Sequence, residues 1–248
     1  MKLIFGMSAI ISLFSGCFAD VVIAKIPEAS GICYAPKSDS LFVANDEGTI
    51  YQIDRDGKIL QKKRVGQYDL EGVACSKDGK ELFLVDEESN SIVVLNQKTL
   101  KIKRIIGVKK KYRGIKIFKS GKHGIEGITI DGSDIYLSNQ SSKKWPKNHS
   151  SVIAKLKSRD KKKLAIDNII DHGFIDVAGL DIYKGNLYMV SDKQDLLIKY
   201  SLKKDKVIWS KKLPQFAQEG IAFDNRGFVY FADDDGAVLK YRVEEFGL

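Results

Sequence analysis

Cysteine, proline, histidine and tryptophan are all scarce, with 3 Cys, 4 Pro, 3 His and 2 Trp in 248 residues. So few cysteines leave no room for a small fold stapled by several disulfides. Four prolines exclude a polyproline or collagen-like chain. Long apolar runs are missing apart from residues 3–14, which fall short of the roughly 20 residues a helix needs to cross a bilayer. Helix-period patterning is nearly absent. No Gly-x-Ser-x-Gly, phosphate loop or His-Glu-x-x-His occurs, which removes the common signatures of serine hydrolases, P-loop enzymes and zinc proteases. Acidic residues are the minority charge, 32 Asp and Glu against 41 Lys and Arg, for a formal charge of +9.

What is present is a hydrophobic content of 44%, ample for one large core. The chain opens MKLIFGMSAIISLFSGCFAD, in which Lys2, a short apolar run and small residues make an export signal over residues 1–19. Two processing routes stay open. Ser15-Gly16-Cys17 resembles the end of a lipobox, which would leave Cys17 as a lipidated N-terminus anchored to a membrane. Ala19 could instead end an ordinary signal-peptidase site. A cysteine at this place favours the lipid route. Either way the expected location is the cell envelope, in the periplasm or attached to a membrane.

Loss of the first 16 residues removes only Lys2, so the charge falls from +9 to +8 and the mature chain stays basic. Lysines gather at Lys109–Lys111, Arg113, Lys116, Lys119 and Lys122, and again at Lys155, Lys157, Arg159 and Lys161–Lys163. A lysine-rich solvated edge is the reading preferred over a polyanion or membrane patch. Nucleic acid is not an expected partner, because export removes it and no aromatic stacking platform accompanies the lysines.

The strongest signal is internal repetition. Five segments align on one glycine: Glu28-Ala-Ser-Gly31, Asp69-Leu-Glu-Gly72, Gly124-Ile-Glu-Gly127, Asp176-Val-Ala-Gly179 and Ala217-Gln-Glu-Gly220. The anchors are spaced by 41, 55, 52 and 41 residues. Each begins a β-forming run, and after a turn a second follows, such as Leu41-Phe-Val-Ala44 or Val229-Tyr-Phe-Ala232. Third strands follow in all repeats, and fourth strands in the first four, at Ile59–Val65, Leu100–Val108, Leu164–Ile170 and Val207–Leu213.

Four-stranded repeats of this length are propeller blades. The expected fold is all-β: one domain over residues 21–248, a monomeric β-propeller of five four-stranded blades. The last repeat ends before its fourth strand, and Val21–Ile26 can fill the gap and join the two chain ends in one sheet. Six blades, with a degenerate one at residues 109–123, or a β-sandwich are the alternatives. The extra length falls in insertions at Lys109–His123 and Ser141–Ser150. Cys33 and Cys75 lie on inner strands of adjacent blades with opposite orientation, so they can face each other; two separate buried cysteines are the preferred reading.

Inner strands line the channel, so residues at the anchor meet their counterparts from other blades. The position before the glycine holds Ser30, Glu71, Glu126, Ala178 and Glu219, and where it is not acidic Glu28 or Asp176 stands two residues earlier. With Asp69, these form the expected channel-mouth acids. Second strands end in Asn45-Asp46-Glu47, Asp86-Glu87-Glu88, Asn139-Gln140, Ser191-Asp192 and Asp233-Asp234-Asp235, at the same end of an antiparallel blade. Crowded carboxylates are eased by a cation, and an all-oxygen set suits calcium or magnesium. The expected ligands are Glu71, Glu126, Glu219, Asp86, Asn139 and Asp192, with calcium the candidate ion. Turn capping by the strand-end Asp and Asn residues is the competing account. His123 and His172 precede Glu126 and Asp176 by three or four residues and are candidate general bases; His149 is a weaker one.

At these same residues the sequence resembles the SdiA-regulated, YjiK-like family of bacterial envelope proteins, notably in Glu28-Ala-Ser-Gly31, Asp69-Leu-Glu-Gly72, Val85-Asp-Glu-Glu88, Ile125-Glu-Gly127, Val190-Ser-Asp192 and Gln218-Glu-Gly220. The resemblance spans nearly the whole mature chain and implies an envelope propeller. One departure is that Ser138-Asn-Gln140 is neutral where the family pattern has a basic-acidic pair. The layout is more distantly similar to calcium-dependent propeller lactonases, esterases and phytases. Three roles follow as expectations: an envelope protein binding a cation and a small-molecule ligand, a calcium-dependent hydrolase, or a scaffold for another envelope protein.

Overall fold

The structure is a computed structural model that describes residues 21–121, 124–157 and 162–248. The export signal, Cys17 and His123 lie outside the described residues.

Five antiparallel sheets surround one axis. From the axis outward, blade one is Ala29–Ala35, Ser40–Asn45, Thr49–Ile53 and Ile59–Arg64. Blade two is Leu70–Cys75, Glu81–Asp86, Ser91–Asn96 and Ile102–Val108, and blade three is Ile128–Asp131, Asp134–Leu137, Ile153–Lys157 and Ile166–Ile170. Blade four is Val177–Tyr183, Asn186–Ser191, Leu196–Ser201 and Lys206–Lys212. Blade five takes Gln218–Phe223, Phe228–Asp233 and Ala237–Arg242 from the end of the chain and its outer strand, Val21–Lys25, from the beginning. The five-bladed ring with its N-terminal closure is thus the observed fold. Among its described residues, the region given to a sixth blade holds a single two-stranded hairpin, Lys111–Tyr112 with Ile115–Lys116.

Burial follows from stacking blade on blade. Second strands are covered on both faces, and Ser40–Asn45 is buried throughout, whereas the outer strand Ile59–Arg64 is exposed or half-buried at every position. One expected element divides. The run from Leu164 serves two blades: Lys163–Leu164 adds a parallel fifth strand to blade two, and Ile166–Ile170 is the outer strand of blade three. Leu164, 1% exposed, belongs to the core of blades two and three.

The anchor glycines explain themselves at the axis. A β-carbon on Gly31 would lie 2.6 Å from the Glu71 carbonyl oxygen, one on Gly72 2.6 Å from that of Glu126, and one on Gly179 2.7 Å from that of Glu219. Gly127 abuts the Ala178 carbonyl, and Gly220 closes the circle against Ile32. Only hydrogen fits where five inner strands converge this tightly.

The same approach corrects the reading of the cysteines. Cys33 and Cys75 are bonded, with α-carbons 5.7 Å apart, inside the span a disulfide bridges. The bond joins blades one and two at the second residue after one anchor and the third after the next. Asp181 and Phe223 hold the equivalent places in blades four and five, and there the Asp181 carboxylate accepts the Phe223 N–H at 2.8 Å. Blades five and one meet in an ion cluster at the end away from the acids. Arg55 reaches the fully buried Asp224 at 2.9 Å and Asp39 at 3.5 Å.

Candidate functional site

In every blade the start of the inner strand pairs with the end of the second, as in Ala29 with Asn45, Leu70 with Asp86 and Gln218 with Asp233. The acids at both places therefore share one end of the propeller. Just before the anchor glycine the inner-strand register slips, between Ala29 and Gly31, Leu70 and Val73, Val177 and Leu180, and Gln218 and Gly220. Such bulges re-aim a side chain. Here they turn Glu71 and Glu219 to the axis, while Ser30 and Ala178 at the same step leave space.

The result is a cup of about 260 Å³ lined by Asp46, Asp69, Glu71, Glu87, Glu126, Gln140, Glu219 and Asp234. Seven of these eight residues are acidic and none is basic, in a chain whose formal charge is +9. Oxygen atoms of Asp69, Glu71 and Glu87 all lie within 4.8 Å of one another. The Gly124 N–H holds Glu87 at 3.0 Å, and the Gln140 amide spans from blade three to both Glu219 oxygens at 3.1 and 3.0 Å.

Crowding and burial act together on the acids. Burial pushes the Glu71 and Glu126 carboxyls well above the usual range, with the charges of Glu219, Asp69 and Glu87 adding for Glu71 and those of Glu71 and Glu87 for Glu126. Burial pushes Glu219 up to about 8, with help from Asp192, Asp234 and Asp176 and against the pull of the Gln140 amide. Asp69 rises to about 6 through burial and the neighbouring Glu87. A site that holds protons this tightly has an excess of negative charge that another cation could replace.

Of the six expected mouth acids, Asp69, Glu71, Glu126 and Glu219 line the cup. Glu28 stands outside it on the rim and is pushed up to about 7, first by its hydrogen bond with Asp46 and then by the Asp46 charge. Asp176 is buried but turns away, accepting from the Lys193 N–H at 3.2 Å and facing its ammonium at 3.4 Å. Of the expected ligands, Glu71, Glu126 and Glu219 line the cup. Asp86 accepts the Asp69 N–H and the Ser89 hydroxyl. Asn139 donates to the Ser150 carbonyl and accepts from Val152. Both side chains are turn caps beside the blade. Asp192 lines a separate surface pocket with Lys193 and Asp195.

Three more cup acids, Asp46, Glu87 and Asp234, belong to the expected strand-end set but not to the six expected ligands. The last residues of four second strands, Asn45, Asp86, Ser191 and Asp233, are buried, as is Asn139 two residues past the end of the fifth; the next residue lines the cup at Asp46, Glu87, Gln140 and Asp234, as alternation along a strand favours. His172 is buried against Phe174, accepts the Phe174 N–H at 3.2 Å, and is pushed down to about 4 by burial. It lines none of the cavities described here. His149 lies in the second insertion.

The family model described as SdiA-regulated matches residues 18–236. The chain belongs to the SdiA-regulated family. Among solved structures, this SdiA-regulated protein is similar to a glutaminyl cyclase of Myxococcus xanthus, with 11% identity, 90% of this chain and 94% of that one covered, and a TM-score of 0.67. It is also similar to the Cps50 (Swd1) β-propeller domain of Myceliophteria thermophila, with 9% identity, coverage of 90% and 68%, and a TM-score of 0.50. At these identities the likeness is one of fold. No curated protein matches the sequence.

Proposed function

We propose that this SdiA-regulated propeller is an exported cell-envelope protein that binds a divalent cation of the calcium class in its acid cup and holds a small ligand through it. The observation that carries this reading is the convergence of Asp69, Glu71 and Glu87 oxygens within 4.8 Å, in a cup that no basic side chain lines among the described residues. Bonds of 2.3–2.6 Å give a calcium oxygen cage about 5 Å across, which suits that spacing. Among the described residues no Cys or His lines the cup, so these supply none of the ligands that zinc prefers. Glu126 would add a ligand from the facing blade.

Calcium titration followed by thermal shift, against chelator-treated protein, tests the proposal. The expected result is a saturable rise in the wild type that the Glu71→Gln/Glu126→Gln variant lacks. A wild type indifferent to calcium sinks the reading.

A second reading, a calcium-dependent hydrolase, draws support from Glu219. A carboxyl pushed up to about 8 beside a cation site is suited to general acid catalysis near neutrality. Turnover of a lactone, aryl ester or phosphate ester, lost in Glu219→Gln with calcium binding retained, separates it from a purely binding role.

A further inference from the structure

Beside the acid cup lies a second cavity of about 180 Å³ with the opposite charge. Gln140 lines both. Lys119, Lys143 and Lys193 face the second one, together with Asp176 and the Ser141 turn. Lys193 is paired with Asp176 at 3.4 Å. Lys119 and Lys143 make no ion pair among the described residues.

Their placement is built into the two insertions. Lys119 follows the hairpin of the first, and Lys143 belongs to the second. The insertions are docked on each other by the His149 N–H to the Lys116 carbonyl at 2.6 Å, by the Lys116 N–H to the Asn148 side chain at 2.8 Å, and by the rings of Tyr112 and Trp145, 6.4 Å apart. The Lys119 carbonyl accepts the Asn90 amide at 2.8 Å, and the Lys143 N–H donates to the Ser141 hydroxyl at 3.1 Å. The Ser141 carbonyl in turn accepts the Asp176 N–H at 2.8 Å. The local field is positive: burial first, then Lys116, Lys143 and Lys119, lowers the proton affinity of His149.

Two ammoniums that line one cavity, neither of them in an ion pair among the described residues, offer a dianionic oxygen group two counter-charges. Lysine binds phosphate as a point charge. We infer that this pocket is the oxyanion subsite of the mouth and takes the phosphate group of a small soluble phosphomonoester whose remainder extends over the acid cup through Gln140. Binding of the phosphate stands without the cation; only the coupling between the two sites rests on the function proposed for the cup.

Inorganic phosphate is the probe. It is titrated into the full mature chain in chelator-treated buffer, then with calcium below the precipitation limit, with the thermal midpoint as readout. Expected are a saturable rise in the wild type, its loss in Lys119→Gln/Lys143→Gln, and about tenfold tighter phosphate binding when calcium is present, a common size for coupled sites. The lysine variant keeps its calcium response, which also reports that it folds. No saturable response, or equal responses in wild type and lysine variant, overturns the subsite. A phosphate response in a wild type indifferent to calcium keeps the subsite and sinks the cation reading; a calcium response alone does the reverse. Vesicles of anionic phospholipid form the second arm, and retention on them that the lysine variant abolishes would assign the phosphate to a lipid headgroup and overturn the soluble ligand.

Discussion

Glu219 carries the clearest pH signature. Its carboxyl stands at about 8 against an ordinary value near 4.5, so the folded protein binds more protons than the unfolded chain between those limits. Stability from this group is complete below about 4.5 and is lost as pH rises through about 8. His172 acts oppositely but only below its ordinary value, since its folded value is about 4. Between pH 6.5 and 8.5 the carboxyls dominate, and Glu28, at about 7, adds in the same sense. Chelated protein should melt lower at pH 8.5 than at 6.5, and calcium should remove most of that difference. Glu219→Gln should flatten the chelated profile, as scanning calorimetry at the two pH values would show.

Residue scale is also where sequence reasoning reached its limit. The anchor glycines and Glu71, Glu126 and Glu219 were visible because they recur in register. Asp46, Glu87 and Asp234 were visible only as members of acidic triplets. Which member faces the axis depends on where the strand ends, and a shift of one residue reverses the direction of the side chain. Glu28 and Asp176 fill gaps in the written pattern but not in space. Both adopt positive φ, 48° and 55°, which carries their side chains out of line with the bulged positions.

At the scale of elements, blades were legible and the joints between them were not. Strand pattern and spacing express each sheet, whereas the disulfide depends on how closely two inner strands approach. Its sequence separation is 42, and closing a loop of that length is worth about 4 kcal/mol on the chain-entropy account. Cys33→Ser/Cys75→Ser should lower stability by about that amount in chemical denaturation and abolish the effect of reductant on the wild type. Substitution at the glycine ring should act through sterics instead. The β-carbon of Gly72→Ala would sit 2.6 Å from the Glu126 carbonyl, against backbone that cannot yield without moving blade three. A loss of about 2–4 kcal/mol is expected. The fifth strand on blade two left no trace in the pattern, because Lys163 and Leu164 pair with a sheet that ended 55 residues earlier at Val108.

For the whole molecule, the closing strand sets direction. Lys25 pairs with Ala237 near the acidic end, and Val21 pairs with Lys240 toward the other, so the chain enters the propeller at the end away from the cup. If the lipid-anchor route applies, the anchor would attach on that side of the propeller. The acid cup would then point away from the bilayer. On vesicles bearing lipidated protein, a water-soluble thiol reagent should label Glu47→Cys, at the cup rim, faster than Lys204→Cys, in a turn at the other end. Equal labelling would refute this orientation.

The glycine ring has a further meaning for traffic. At the level of the anchors the axial space is only about 10 Å³, at the lower limit of what a single water needs. The acid cup and the cavity of about 170 Å³ at the opposite end are therefore joined by a neck with room for about one water. A ligand larger than a water that enters the acidic well must leave by the door it came in, so a large molecule resting on the rim would hold it there, and its release would be governed from that one side.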